Sequence, residues 1–151
     1  MKIGIMGGTF NPIHNAHLLI AEMAREEYGL DRVIFITDGN PPHKSANVTA
    51  KQRFEMTHIA IADNSAFEED DFEINRSEKS YTVNTLGYLK EKYPNNDLFF
   101  IIGEDSLNDF DKWYKPDKIL EMCSLLVFPR KSLKSLTETI KAVKEKMNGR
   151  I

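Results

Sequence analysis

Short, almost wholly apolar runs alternate along this chain with longer segments whose apolar residues recur every three or four positions. Lys2–Met6, Arg32–Thr37, Leu98–Ile102 and Ser124–Phe128 read as strands, with Phe72–Ile74 a weaker fifth. Near-continuous apolarity, as in Arg-Val-Ile-Phe-Ile-Thr, predicts strands covered on both faces. Between them the 3.6-residue period predicts helices. The first runs from about Asn15 to Tyr28, with Ala16/Ile20, Leu19/Met23 and Ile20/Ala24 repeating and Gly29 as its stop. A second starts at a Thr49/Gln52 capping box and reaches about Asp63, with Phe54, Met56, Ile59 and Ile61 as its apolar residues. A third covers Thr82–Tyr93 and is stopped by Pro94, and a fourth runs from Pro116 to about Met122. A fifth starts at Ser135/Glu138 and reaches about Met147. Strand–helix alternation implies right-handed β-α-β crossovers and a parallel, doubly wound sheet, an α/β fold. In such sheets ligands lie beyond the carboxyl ends of the strands. The segments there are Gly7–His17, Asp38–Ser45, Asn75–Thr82, Gly103–Asp105 and Pro129–Arg130, and they hold nearly all the chemically suggestive residues.

Composition narrows the function. A chain of 151 residues with 41% hydrophobic and 28% charged content fits one soluble domain. The net charge of −3 supplies no general attraction to nucleic acid or anionic lipid, so a bound polyanion must be held by local donors. One cysteine, Cys123, excludes an internal disulfide and fits a reducing compartment. No signal-peptide pattern or membrane-spanning run is evident, so the expected location is cytoplasmic, with no membrane partner.

Gly7-Gly8-Thr9-Phe10-Asn11-Pro12-Ile13-His14-Asn15-Ala16-His17 joins the first strand to the first helix. Glycines let backbone N–H groups approach a ligand, and a helix start adds partial positive charge, so phosphate is the expected guest. His14 and His17 are three apart and can share one mouth. With His43 they could form a three-histidine metal site, but no Cys or Glu general base accompanies them and Lys44 would repel a cation. Pro41-Pro42-His43-Lys44 is a stiff loop that lowers the entropy lost in holding Lys44 on an anion. Ser80-Tyr81-Thr82 offers a hydroxyl and free N–H groups at a helix start. Trp113 has charged neighbours that suggest an accessible ring for a flat aromatic substrate. Arg130, just after a strand, has a fork suited to phosphate. His58, among apolar helix residues, reads as structural, and the acidic run Glu68–Asp71 as solvated surface. The glycines do not form Gly-x-Gly-x-x-Gly or a P-loop, which disfavours an NAD-binding oxidoreductase.

These residues together resemble bacterial nicotinate-nucleotide adenylyltransferases. The resemblance runs from Gly7-Gly8-Thr9-Phe10 and His14-x-x-His17 through Pro41-Pro42-His43-Lys44, Arg53-x-x-Met56, Ser80-Tyr81-Thr82 and Thr85-Leu86. It continues in Ile102-Gly103-x-Asp105, Trp113-Tyr114 and Arg130. His-x-x-His indicates the wider nucleotidyltransferase superfamily, and Pro-Pro-His-Lys with Ser-Tyr-Thr indicates the pyridine-nucleotide branch. The resemblance implies a Rossmann-like fold with residues 1–151 as one nucleotidyltransferase domain. It implies AMP transfer from ATP to nicotinate mononucleotide, giving deamido-NAD and pyrophosphate, with Mg²⁺ on the ATP phosphates. By position, His14, His17 and Lys44 would be catalytic. Gly8, Thr9, Phe10, His14, His17, Gly103, Asp105 and Arg130 would meet ATP, Gly103 and Asp105 at its ribose. Asn40, Lys44, Ser80, Tyr81, Thr82, Trp113 and Tyr114 would meet the mononucleotide, with Thr82, Trp113 and Tyr114 at its ring and carboxylate. Nucleic acid is not an implied partner, and a homo-oligomer is left open. Asn11 and Ala16 stand where the family usually has Asp and Gly. The family's Ile-Ser-Ser-Thr-x-Ile-Arg motif does not occur here, so the C-terminal part that carries it is expected to be missing. The alternatives are another acceptor, such as nicotinamide mononucleotide or phosphopantetheine, and a non-catalytic nucleotide-binding module.

Overall fold

A computed structural model of the chain describes residues 1–8, 10, 13–39, 49–75, 81–129, 138, 140–143 and 145. The strands are β1 (Lys2–Gly8), β2 (Arg32–Thr37), β3 (Phe67–Asp70), β4 (Asp97–Gly103) and β5 (Ser124–Phe128). The helices are α1 (Asn15–Tyr28), α2 (Ala50–Ile61), α3 (Thr82–Lys92), α4 (Glu104–Asn108) and α5 (Pro116–Met122), with a 3₁₀ turn at Phe110–Lys112. Residues 138, 140–143 and 145 are also helical. All strand pairs are parallel, in the order β3-β2-β1-β4-β5. The fold is Rossmann-like and doubly wound. The chain steps outward from β1 to β3 and then returns to place β4 on the other side of β1. Ligands bind at that reversal in sheets of this kind.

The period of two along each strand sends alternate residues to two separate cores. Ile3, Ile5, Ile34, Ile36, Leu98, Phe100 and Ile102 face α3, α4 and α5, where Leu86, Leu89, Leu107 and Ile119 are fully buried. Val143 joins that face. Val33, Phe35, Ile101 and Leu126 face α1 and α2, against Ala21, Ala24 and Ile61. The small α1 residues Ala21 and Ala24 lie against the sheet, while Leu19 and Met23 point outward. The α1 helix ends at Gly29, whose φ of 63° is the left-handed conformation that a helix stop favours.

Several expectations are corrected. The fifth strand is Phe67–Asp70, not Phe72–Ile74, which lies in a turn. The acidic run is therefore largely an edge strand rather than a solvated face. Parallel pairing with β2 needs only Phe67 to fill the core, against Phe35 at 5.1 Å between ring centroids. Asp70 is buried because Tyr88, Lys92 and the Phe72 amide all donate to it. β1 continues through Gly7-Gly8, and Glu104-Asp105 is the start of α4 rather than loop. The inward stripe of α2 is Arg53, Thr57 and Ile61, whereas Ile59 is 74% exposed. His58 is exposed, with Nδ1 2.7 Å from Glu69 Oε1, rather than packed among apolar residues.

Candidate active site

A pocket of about 330 Å³ opens at the carboxyl ends of β1, β2 and β4, where the strand order reverses. Its floor is apolar, built by Ile5, Ile36, Phe100 and Ile102. Its rim is drawn from separate connections: Gly8 and His17, then Asp38, Glu73 and Thr82, then Gly103, Ser106 and Trp113, with Phe128 from the end of β5. Sequence-distant segments thus converge because parallel strands carry all their exits to one edge.

The two histidines cap their own helix. His14 is the N-cap of α1, and its Nδ1 accepts from the Ala16 amide at 3.3 Å. The His14 amide donates to His17 Nδ1 at 3.1 Å. The rings lie 3.9 Å apart. Since both Nδ1 atoms accept, each neutral imidazole carries its proton on Nε2, leaving that N–H as its remaining donor. Partial burial and the neighbouring His14 lower the His17 pKa, so at neutral pH His17 is an uncharged donor. His17 lines the pocket, whereas His14 is exposed beside it. Phe10 lies below, 3% exposed, with its ring edge-on to His17 at 5.2 Å and a φ of 49°. That left-handed backbone is unusual for a phenylalanine and turns the chain under the imidazole.

The opposite wall is α3 and the segment after the 3₁₀ turn. The Tyr81 side chain makes no capping hydrogen bond at the start of α3. Thr82 and Thr85 line the pocket there. Trp113 is half-buried rather than open, packed on Phe110 at 5.1 Å and Phe100 at 6.2 Å, and presents part of its ring to the pocket. The Tyr81 and Tyr114 rings pack against each other, tilted, with centroids 4.7 Å apart and outside the pocket lining, and so join the two elements that carry Thr82 and Trp113. Asp105 is exposed on the first turn of α4, between the lining residues Gly103 and Ser106.

Of the residues expected at the site, Gly8, His17, Thr82, Gly103 and Trp113 are brought together in the pocket wall. Phe10, His14, Tyr81, Asp105 and Tyr114 stand behind or beside it. Thr9, Asn40, Lys44, Ser80 and Arg130 lie outside the described residues, as do Asn11 and the Pro41–His43 stretch. Asp38 and Glu73 are pocket residues that sequence reasoning missed. Asp38 could have been found, since it is the first acidic residue after an apolar strand. Glu73 gave no signal, because its segment reads as a strand. Its Oε2 accepts from Thr85 Oγ1 at 2.6 Å, tying the turn after β3 to α3. A Cβ on Gly39 would overlap the Glu73 carbonyl, so only glycine lets the β2 exit pass this turn. Among the described residues no three His, Cys, Asp or Glu side chains are grouped to hold a metal ion. Among them, too, no helix is long and apolar enough to cross a membrane.

Comparison with known proteins agrees with this geometry. Residues 5–148 match the cytidylyltransferase-like family. A probable nicotinate-nucleotide adenylyltransferase of Citrifermentans bemidjiense is 47% identical over 144 residues, covering 93% of this chain and 67% of that protein. Another, from Pelobacter propionicus, is 51% identical over 132 residues, covering 86% and 61%. The chain thus spans about two thirds of the length of these curated relatives. The structure of Plasmodium falciparum nicotinic acid mononucleotide adenylyltransferase complexed with NaAD superposes with a TM-score of 0.78 at 24% identity. That match covers 91% of this chain and 70% of the other, a likeness of fold. With the strand reversal, the histidine-capped helix and identity of this extent over most of the chain, the protein belongs to the cytidylyltransferase-like family, among its nicotinate-nucleotide adenylyltransferases.

Proposed function

We propose that residues 1–151, read as a nucleotidyltransferase domain, transfer AMP from ATP to nicotinate mononucleotide, giving deamido-NAD and pyrophosphate. The observation that carries this reading is the pocket at the β1–β4 reversal, which sets His17 on one wall against Thr82 and Trp113 on the other. One wall suits a phosphate chain and the other a flat ring bearing a carboxylate.

The acceptor phosphate is already an anion at neutral pH. One of its oxygens attacks the α-phosphorus of ATP, the bond to pyrophosphate breaks, and no protein nucleophile or general base is needed. The barrier comes from alignment and from charge repulsion. Holding both substrates in line supplies about 7–11 kcal/mol of the required lowering. His17 donates its Nε2–H to a phosphate oxygen whose charge grows in the transition state, and Lys44 and Arg130 are proposed to add cationic contacts. Gly8 and the Phe10 backbone border the phosphates, with His14 at their margin, and Thr9 is proposed to add a backbone contact. Gly103 and Asp105 take the adenosine ribose. The start of α3, at Tyr81 and Thr82, suits the nicotinate carboxylate, with Ser80 and Asn40 proposed to add contacts, Trp113 proposed against the ring and Tyr114 proposed to join it. Mg²⁺ is proposed to enter as part of the ATP complex, held by phosphate oxygens.

Mixing ATP with nicotinate mononucleotide and measuring pyrophosphate and dinucleotide tests this reading. Turnover with that acceptor well above nicotinamide mononucleotide and phosphopantetheine is expected. Release with another acceptor alone, or ATP binding without release, would overturn it.

A further inference from the structure

Thr85 sits on the inward stripe of α3, 3% exposed, and lines the pocket three residues after Thr82. Its amide donates to the Tyr81 carbonyl at 3.2 Å, which closes the first turn of the helix. Its hydroxyl donates to Glu73 Oε2 at 2.6 Å, a length usual for a hydroxyl on a carboxylate oxygen. The Tyr81 carbonyl, 3.5 Å away, is the ordinary acceptor for a threonine inside a helix, and the shorter bond to Glu73 takes the single hydroxyl proton. That bond reaches twelve residues along the chain, from the turn after β3 to α3. Glu73 also meets the exit of β2. A Cβ on Gly39 would stand 2.2 Å from the Glu73 carbonyl oxygen, so the two backbones lie directly against each other. Leu86 and Leu89, fully buried, set the body of α3 on the sheet. The Thr85 hydroxyl ties down its first turn, the one that carries Thr82 into the pocket wall.

We propose that Thr85 is a positioning residue for the acceptor: its bond to Glu73 fixes the first turn of α3 against the exit of β2, and so sets the pyridine wall of the pocket relative to the phosphate wall. It acts through the placement of Thr82 and the Tyr81 end of the helix, with no contact of its own to the reactants. A binding group held loosely loses affinity because the ligand must then order it, and a misplaced acceptor is poorly aligned for in-line attack. The inference rests on the nicotinate reading of that wall, and binding is measured separately from turnover so that the two can fail independently.

The test compares Thr85→Val, which keeps the shape and loses the hydroxyl, with Thr85→Ser, which keeps the hydroxyl. Each is titrated by calorimetry with nicotinate mononucleotide and with ATP, and its pyrophosphate release and melting temperature are measured. Thr85→Val is expected to weaken mononucleotide binding about tenfold and to raise the KM for it alike, with ATP binding within about twofold of wild type. Thr85→Ser is expected to bind both within about threefold of wild type, and a tenfold loss in a folded Thr85→Ser protein would count against the proposal. A threonine that only stabilises the fold predicts a lower melting temperature with both affinities unchanged in the folded protein. That result would overturn the proposal, as would an equal loss for both substrates. Glu73→Ala added to Thr85→Val is expected to cost the mononucleotide clearly less than the two single losses combined, whereas fully additive losses would show that Thr85 does not act through Glu73. Should Thr85→Val not fold, Thr85→Ala provides the arm, with the same split expected. Wild-type protein that binds the mononucleotide but releases no pyrophosphate would refute the activity, and the titrations would still decide this inference. Wild-type protein that binds ATP but not the mononucleotide would overturn both.

Discussion

Two polar clusters sit on the same sheet and treat their hydrogen-bonding groups in opposite ways. At the β3 edge, Asp70 is saturated: Oδ2 takes Tyr88 Oη and Lys92 Nζ, each at 3.0 Å, and Oδ1 takes the Phe72 amide at 2.9 Å. Phe72 then stacks on Tyr88 at 4.2 Å. The Asp70 pairing raises the Lys92 pKa. At the β1–β4 reversal the described imidazoles commit only one ring nitrogen each to their own helix. The imidazoles of His14 and His17 spend Nδ1 on capping, which leaves Nε2–H as the remaining donor of each neutral ring, and the Tyr81 side chain makes no capping bond at the start of α3. A cluster that consumes its own donors stabilises a fold, whereas one that holds donors back can receive a ligand.

Four measurements sharpen or break that contrast. His17→Ala is expected to lower kcat by about 10²–10³, the usual cost of one donor to developing charge, with a smaller rise in the ATP KM. An unchanged kcat would move the site away from His17. Trp113→Ala is expected to raise the KM for nicotinate mononucleotide about 5- to 150-fold, the equivalent of about 1–3 kcal/mol of lost stacking, with the ATP KM near wild type. An equal loss for both substrates would dissolve the two-wall division. Asp70→Ala should cost about 1–3 kcal/mol in denaturant unfolding, because Tyr88, Lys92 and the Phe72 amide lose their shared acceptor. Turnover per folded molecule should hardly change, and a large drop would make the β3 edge part of the site. The smallest effect is in pH. With the His17 pKa lowered in the fold, the unfolded chain binds a proton that the folded chain refuses once pH falls below about 6.5. Stability is therefore expected to fall with pH there, level off below the folded pKa, and fall less steeply in His17→Gln. Identical slopes for the two proteins would remove the assigned neutral state.

The same contrast explains what could be read in advance. β2 and β4 are legible because they are apolar on both faces, and the glycine–histidine turn because its residues are rare together. β3 was misplaced because an edge strand needs only Phe67 in the core, and its acidic residues find partners in helices far along the sequence. Arg53 is not legible as a core residue, since periodicity counts arginine as surface and only the fold shows its Nη1 donating to the Asp38 carbonyl. Trp113 was identified by chemistry but not by exposure, because its packing on Phe100 and Phe110 is a tertiary fact.

The central claim is that the reversal edge holds two anionic reactants against each other and lets one attack the other directly. ATP made chiral at the α-phosphorus by sulfur and ¹⁸O, turned over with nicotinate mononucleotide, reports on it. One in-line displacement predicts inverted configuration in the dinucleotide product. Retention would mean two displacements through an AMP–protein intermediate, and would contradict the account.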